Sequence, residues 1–162
     1  TATTGQGNDG GAGSTANTFG GGGGGAGGAG TIGGDGSSGA NGAGGVGSST
    51  FINSSTAETR AFLFAALAGT NASNVATSSS DTSGTLYIAA GGNAGRYGGT
   101  SGILTTGALG GGGISKYHYV GAHMDALANT GSGGGAGSRT GGNTGGGMGG
   151  SGIVIIRYRL HH

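Results

Sequence analysis

Apolar side chains fall mainly in two stretches of this chain, and long glycine-rich blocks surround them. The pattern divides the sequence into a glycine-rich block (1–47), an insert (48–90), a second glycine-rich block (91–152) and an apolar terminal stretch (153–160). We expect these parts to form one glycine-rich domain. Because the chain begins at Thr1 without a methionine, we expect it to be the C-terminal part of a longer protein.

The insert carries signals for two strands and one helix. Ser49–Asn53 and Thr85–Ala89 contain β-branched and aromatic residues that favour short strands. Ser55 and Glu58 have the spacing of a capping box, which predicts a helix over Thr56–Ala68. Apolar residues wrap widely around that helix, so we expect the insert to hold the one small hydrophobic core.

The terminal stretch has the strongest strand signal in the chain. Ile153, Val154, Ile155 and Ile156 are β-branched and continuous, without polar residues between them. A continuous apolar run predicts burial on both faces of a strand. Because an exposed strand of this kind promotes aggregation, we expect it to pair within the domain or with another protomer.

Glycine recurs at every third position through much of the first block. A period of three fits neither the α-helix, with 3.6 residues per turn, nor the β-strand, with two. It fits the polyproline II conformation, which has three residues per turn. Glycine at every third position leaves one edge of each extended helix bare, so that a neighbouring main chain can approach closely. The run comprises Gly21, Gly24, Gly27, Gly30, Gly33, Gly36, Gly39, Gly42 and Gly45.

The same period returns more weakly in the second block, where Thr140 and Asn143 interrupt it. The triplet Ala-Asn-Thr precedes the first glycine run at residues 16–18 and the last at residues 128–130. This echo indicates a loose internal repeat. The glycines of the weaker register are Gly131, Gly134, Gly137, Gly146, Gly149 and Gly152.

Composition excludes several classes of protein. Glycine accounts for 49 of 162 residues, and proline and cysteine are absent, so neither collagen nor a disulfide framework fits. Six Lys and Arg against five Asp and Glu form no basic patch of the kind that nucleic-acid binding requires. The longest apolar run, Ala61–Ala68, is too short for a membrane span.

Two interpretations of the glycine blocks remain. A flexible Gly/Ser/Ala linker would have a similar composition. An ordered bundle would have to replace a hydrophobic core by main-chain hydrogen bonds, close main-chain packing or assembly with other chains. We expect the second: a mainly irregular or β fold, built as a polyglycine-II-like bundle with a few short β-strands and one short helix.

Four runs of sequence resemble the glycine-rich domain of phage tail-fibre and adhesin-like proteins. They are TGQGNDGGAGS, GGGGGGAGG, ANTGSGGG and, most specifically, the closing GGSGIVIIRY at residues 149–158. The chain lacks the upstream strand of the VVAGGGGGG kind that members usually carry, as expected of a C-terminal fragment or of a strand supplied from elsewhere. The resemblance implies a polyglycine-II-like or β-rich scaffold whose variable loops bind host surfaces. It carries over no catalytic residues.

The chain shows no established catalytic or cofactor motif. The only lysine, Lys116, is not followed by the Ser or Thr of a phosphate-binding loop, and no serine nucleophile elbow is present. His118, His123 and Asp125 have a spacing that fits no standard metal site. We therefore expect no enzyme activity, no cofactor and no metal.

Aromatic and basic residues between Ile114 and Met124 are the best candidates for receptor contact. Their rings combine an apolar face with a polar tip, which suits contact with a sugar or a protein. Ordinary packing is the alternative role for each of them. The candidates are Tyr117, His118, Tyr119 and His123, with Arg96 and Tyr97 as a second, weaker pair.

These sequence features and the resemblance suggest two alternative functions. The first is a structural and adhesive domain of a phage tail fibre or tail tip, which presents loops to a glycan or protein of the host surface. It predicts solvent-exposed tips at Ile114–Met124 and Gly92–Gly102. The second is a subunit of an extracellular bacterial fibril or pilus-like filament, assembled by strand exchange. Both predict a homo-oligomer, a trimer or a helical filament, on the virion tail or on a bacterial cell surface. Ice binding would need a regular threonine array, which the sequence lacks.

Overall fold

The computed structural model describes residues 7–15, 19–34, 40–49, 87–96, 107–115, 124–137, 145–154 and 156. Within these ranges the chain contains no helix, and its only β pairing consists of two isolated antiparallel bridges, Phe19 with Arg96 and Ser48 with Ile88. The prediction of a mainly irregular chain is confirmed for this part of the protein. The predicted helix over Thr56–Ala68 and all but the first residue of the strand Ser49–Asn53 lie outside it.

Extended segments lie side by side in the described part, and main-chain hydrogen bonds join them. Seven such segments are linked by these hydrogen bonds. They are the leading segment (7–15), the central segment (19–25), the return segment (28–34), the third segment (40–49), the fourth segment (87–96), the flanking segment (130–137) and the terminal segment (145–154).

Main-chain hydrogen bonds between these segments recur at every third residue. In the central segment and the bend that follows it, Gly20, Gly23 and Ala26 donate to the fourth segment at 3.2, 3.0 and 2.8 Å. A β ladder would use every second residue, and an α-helix would bond within one segment. Three other pairs of segments show the same step of three. Asn8, Gly11 and Ser14 donate to Gly25, Gly22 and Phe19, respectively. Ile88, Gly91 and Ala94 donate to Ser48, Gly45 and Gly42, and Gly133 and Ala136 donate to Ala90 and Asn93.

Glycine permits these segments to approach one another closely. A β-carbon added to the described glycines of the first period-three run would lie inside 3.0 Å of a main-chain atom of another segment, a distance that real β-carbons do not show. Gly36 and Gly39 lie outside the described residues. The described members are Gly21, Gly24, Gly27, Gly30, Gly33, Gly42 and Gly45.

The weaker period of the second glycine block is used in part: Gly134 packs against the main chain of Gly147, but the terminal segment packs in a different register. In the terminal segment, a β-carbon on Gly147 or Gly150 would clash with the carbonyl of Met124 or Leu127. Gly149 has no atom nearer than 3.5 Å to such a carbon, and Gly152 has none within 4 Å. The glycines that pack are thus shifted by one residue from the register of Gly149 and Gly152.

Few apolar side chains are buried among the described residues, and half of those are alanine. The buried apolar residues are Phe19, Ala90, Ala94, Ile114, Ala126 and Leu127. Buried polar side chains bind main-chain groups instead: the Oδ1 atom of Asn93 accepts from the N–H of Gly44 at 2.9 Å, and the hydroxyl of Thr130 donates to the carbonyl of Leu127 at 2.6 Å. Pairing such groups matters because an unpaired polar atom is costly to bury.

The two ends of the insert meet at one point of the fold. Ser48 and Ile88 exchange both main-chain hydrogen bonds, at 2.9 and 3.1 Å. The predicted strand Thr85–Ala89 is not continuous in its described residues. Ile88 forms only this bridge, and Ala89 has a φ of 59°, a left-handed conformation that a strand cannot contain.

The terminal apolar run differs from the prediction of a strand buried on both faces. Ile153, Val154 and Ile156 are not in a strand, and the side chains of Val154 and Ile156 are 87% and 79% exposed. The reason is that the main-chain pairing between described residues stops at Ser151, whose carbonyl accepts from Gly131 at 2.8 Å. Pairing with another protomer remains a prediction. The described residues contain no helix that is long and apolar enough to span a membrane.

Candidate functional site

An open groove of about 600 Å³ runs along the packed segments. Its walls are the leading and central segments on one side and the flanking segment on the other, and the fourth segment forms the floor. Among the described residues only glycine, alanine and asparagine line it, so main-chain groups form much of its surface. Representative lining residues are Asn8, Gly21, Gly24, Gly92, Gly134 and Ala136.

Two lining glycines of the central segment have main-chain groups that form no hydrogen bond to a described residue. Both the N–H and the carbonyl of Gly20, Gly22, Gly23 and Gly25 bond to neighbouring segments. Neither group of Gly21 or Gly24 bonds to any described residue. The unpaired positions are therefore three residues apart, in the same period as the rest of the bonding.

The floor of the groove adds a further donor. The carbonyl of Gly92 accepts from Gly23, whereas the N–H of Gly92 bonds to no described residue. A β-carbon on Gly23 or Gly133 would lie 3.4 or 3.1 Å from that nitrogen, so bare glycines flank it on both walls. The groove thus offers donors and acceptors of the main chain, with no side chain covering them.

Of the residues predicted for receptor contact, only Arg96 is described. Its guanidinium lies 4.5 Å from the centre of the Phe19 ring, and the two residues also form a β-bridge. Phe19 is 3% exposed, so Arg96 covers a buried ring. Tyr97, Tyr117, His118, Tyr119 and His123 lie outside the described residues.

The two stretches predicted as exposed tips, 92–102 and 114–124, begin with residues that are packed among the segments. Asn93 and Ala94 are buried, because the fourth segment has neighbours on several sides. Ile114 and Ser115 are likewise buried. Exposure is therefore wrong for these described residues of the two stretches.

The described part of the chain shows no cluster of side chains suited to a metal ion. Asp125, the one described residue of the triplet with His118 and His123, binds the main chain instead. Its Oδ1 atom accepts from the N–H of Met148 at 2.7 Å and so fixes the terminal segment.

Comparison of the chain with protein-family models, with curated proteins and with solved structures found no match.

The groove was not predicted from the sequence. Its signal is the glycine at positions 21 and 24, but the sequence does not distinguish a glycine that faces a neighbour from one whose main chain stays unpaired.

Proposed function

We propose that the chain is a non-enzymatic structural domain, a polyglycine-II-like bundle that carries loops for attachment, as in a phage tail fibre or tail tip. The observation that carries the proposal is the step of three in the main-chain hydrogen bonds, such as the donors Gly20, Gly23 and Ala26. Three residues per turn is the period of polyproline II, and bare glycine edges permit its helices to bond side by side.

The bundle can hold loops at fixed positions. The stretch that contains Tyr117, His118 and Tyr119 lies between Ser115, which is buried, and Met124, whose carbonyl accepts from Gly135 at 2.7 Å. Both ends are thus fixed in the bundle. Binding residues are often carried on loops that a rigid scaffold positions. The proposed ligand is a glycan or protein of the host surface, bound outside the cell by a homo-oligomer on the virion tail or, alternatively, on a bacterial surface.

Adhesion is tested by binding of the fluorescently labelled chain to a panel of bacterial cells and to a glycan array. Replacement of Tyr117 and His118 by alanine should abolish binding without lowering the melting temperature. Ile32→Ala is the control, because Ile32 is 70% exposed and carries no proposed contact. Binding that survives the loop variant, or a chain that binds no surface, would contradict the adhesive role.

The alternative is a subunit of an extracellular filament, and one observation favours it. The terminal run ends in Val154 and Ile156, large apolar side chains that the described chain leaves exposed. Exposed apolar patches of this kind mark association sites. Filaments in electron micrographs of the purified chain, together with absence of cell binding, would favour this function over adhesion.

A further inference from the structure

The groove corresponds to a gap in the packing around the central segment. This inference rests on the proposed polyglycine-II-like bundle. With three residues per turn, successive N–H groups point in three directions about 120° apart, and so do successive carbonyls. A helix of this kind can therefore bond to neighbours in six directions. Each direction uses main-chain groups three residues apart.

Four of the six directions around the central segment are occupied. Its N–H groups bond to the fourth and return segments, and its carbonyls bond to the leading and third segments. These neighbours also bond to one another in the order leading, return, third, fourth: Gly30 donates to Asp9, Thr31 to Ala43, and Gly91 to Gly45. No main-chain bond between described residues joins the leading segment to the fourth, which would close the ring.

The two remaining directions belong to Gly21 and Gly24, and both glycines line the groove. Their N–H groups define one direction and their carbonyls the other, and neither pair bonds to a described residue. The unpaired N–H of Gly92 faces the same gap from the fourth segment. An occupant would need a main chain with free donors and acceptors at every third residue and no side chain on that edge.

The terminal segment has such an edge. Gly146, Gly149 and Gly152 make no main-chain hydrogen bond to a described residue. Nothing in the described part of their own chain requires glycine there: a β-carbon on Gly146 would lie 3.4 Å from its nearest neighbour, and one on Gly152 would have none within 4 Å. The other two edges are accounted for, because Gly147 and Gly150 pack on their own chain while Met148 and Ser151 carry side chains.

The geometry points to self-assembly through these two surfaces. The bare edge of Gly146, Gly149 and Gly152 in one copy lies along the groove of a second copy and bonds, in one of the two remaining directions, to main-chain groups of Gly21 and Gly24 that no described residue uses. Donors and acceptors match because both surfaces repeat every three residues. The edge and the groove are different surfaces, so a copy that donates its edge still has a groove to receive the next copy.

Sedimentation velocity of the full chain tests this docking. The wild type should form oligomers, and Gly149→Val should weaken association by about tenfold or more, because a side chain on the edge separates hydrogen-bonding groups. The matched control is Gly145→Val on the same segment: it is off the edge, and a β-carbon there has no neighbour within 4 Å. The control should associate as the wild type does, and both variants should keep the monomer's melting temperature.

Cross-linking identifies the surfaces that meet. The chain contains no cysteine, so Met148→Cys in one copy and Ala136→Cys in another provide the only thiols, at positions that already carry side chains. A short bis-maleimide should join these copies. It should not join Met148→Cys to Ile32→Cys, which is exposed but does not line the groove.

A wild-type chain that stays monomeric at its highest soluble concentration would overturn the docking. So would equal association of the Gly149→Val and Gly145→Val variants. Either result leaves the bundle itself intact if Gly22→Ala, a change inside the bundle and away from the edge, still lowers the melting temperature. If Gly22→Ala does not change the melting temperature, the result contradicts the proposed bundle and not the docking.

Discussion

Gly22 lies so close to the carbonyl of Ala43 that a β-carbon on the glycine would stand far inside 3.0 Å of the oxygen. The adjacent Gly23 differs, because its nearest neighbour would be the Gly92 nitrogen at 3.4 Å, an ordinary contact. The two glycines are identical in sequence context, since both stand inside a run of six glycines. Only their orientation toward neighbouring segments distinguishes them.

Gly22→Ala should therefore destabilise the protein by about 3 kcal/mol or more, since the rigid main chain of the third segment has to move. Gly23→Ala should change the free energy of unfolding by less than about 1 kcal/mol. Thermal and urea unfolding, followed by circular dichroism, measures both. Equal destabilisation by the two substitutions would contradict the assignment of the packed edge.

Asn93 joins two segments through a buried side chain. The residue is 2% exposed, and its Oδ1 atom accepts from the N–H of Gly44 at 2.9 Å. Asn93→Ala should cost about 1–3 kcal/mol, because the part-buried N–H of Gly44 then loses its partner. Asn8→Ala is the matched control: Asn8 is exposed, and its side chain donates to the carbonyl of Gly25 at 2.8 Å. Urea unfolding should show a clearly smaller loss for the control.

Ala89 is held in a left-handed conformation, with a φ of 59°. Its N–H donates to Thr130 and its carbonyl accepts from Ala26, both at 2.8 Å, so the neighbouring segments fix this strained geometry. A left-handed conformation costs a residue with a β-carbon about 1–2 kcal/mol, and glycine avoids that cost.

Ala89→Gly should therefore stabilise the protein by roughly 0.5–1 kcal/mol after the entropy lost by glycine is subtracted. Ala94→Gly is the control, because Ala94 is 5% exposed and has no positive φ, so the same change there should destabilise. Differential scanning calorimetry should show a higher melting temperature for the first variant and a lower one for the second. A decrease for both would contradict the strain at Ala89.

The period of three could be found from the sequence because glycine is the only residue with no side chain to keep a neighbour away. It predicted which glycines stand against main chain, Gly21 and Gly24 among them. It could not predict which neighbour each one meets, because those partners lie far apart along the chain. Gly22, for example, packs on the third segment although no register of three singles it out.

The terminal run shows the opposite limit. The β-branched residues Val154 and Ile156 predicted a buried strand from propensity alone, but strand formation needs a partner main chain. The described part of one chain provides pairing only as far as Ser151. The weaker glycine register failed in the terminal segment for a similar reason: Gly149 and Gly152 are spaced for close packing, but no neighbour in the described chain packs closely on them.

Arg96 and Phe19 give the last test, because Arg96 was predicted to contact a receptor and the structure places it over a ring. At 4.5 Å from the ring centre, the guanidinium can make a cation–π contact worth about 0.5–2 kcal/mol. A double-mutant cycle of Arg96→Gln and Phe19→Leu should give a coupling energy in that range in urea unfolding. A coupling energy near zero, combined with loss of cell binding by Arg96→Gln at unchanged stability, would support the predicted role of Arg96 in receptor contact. A measurable coupling with unchanged cell binding would make its role packing on Phe19.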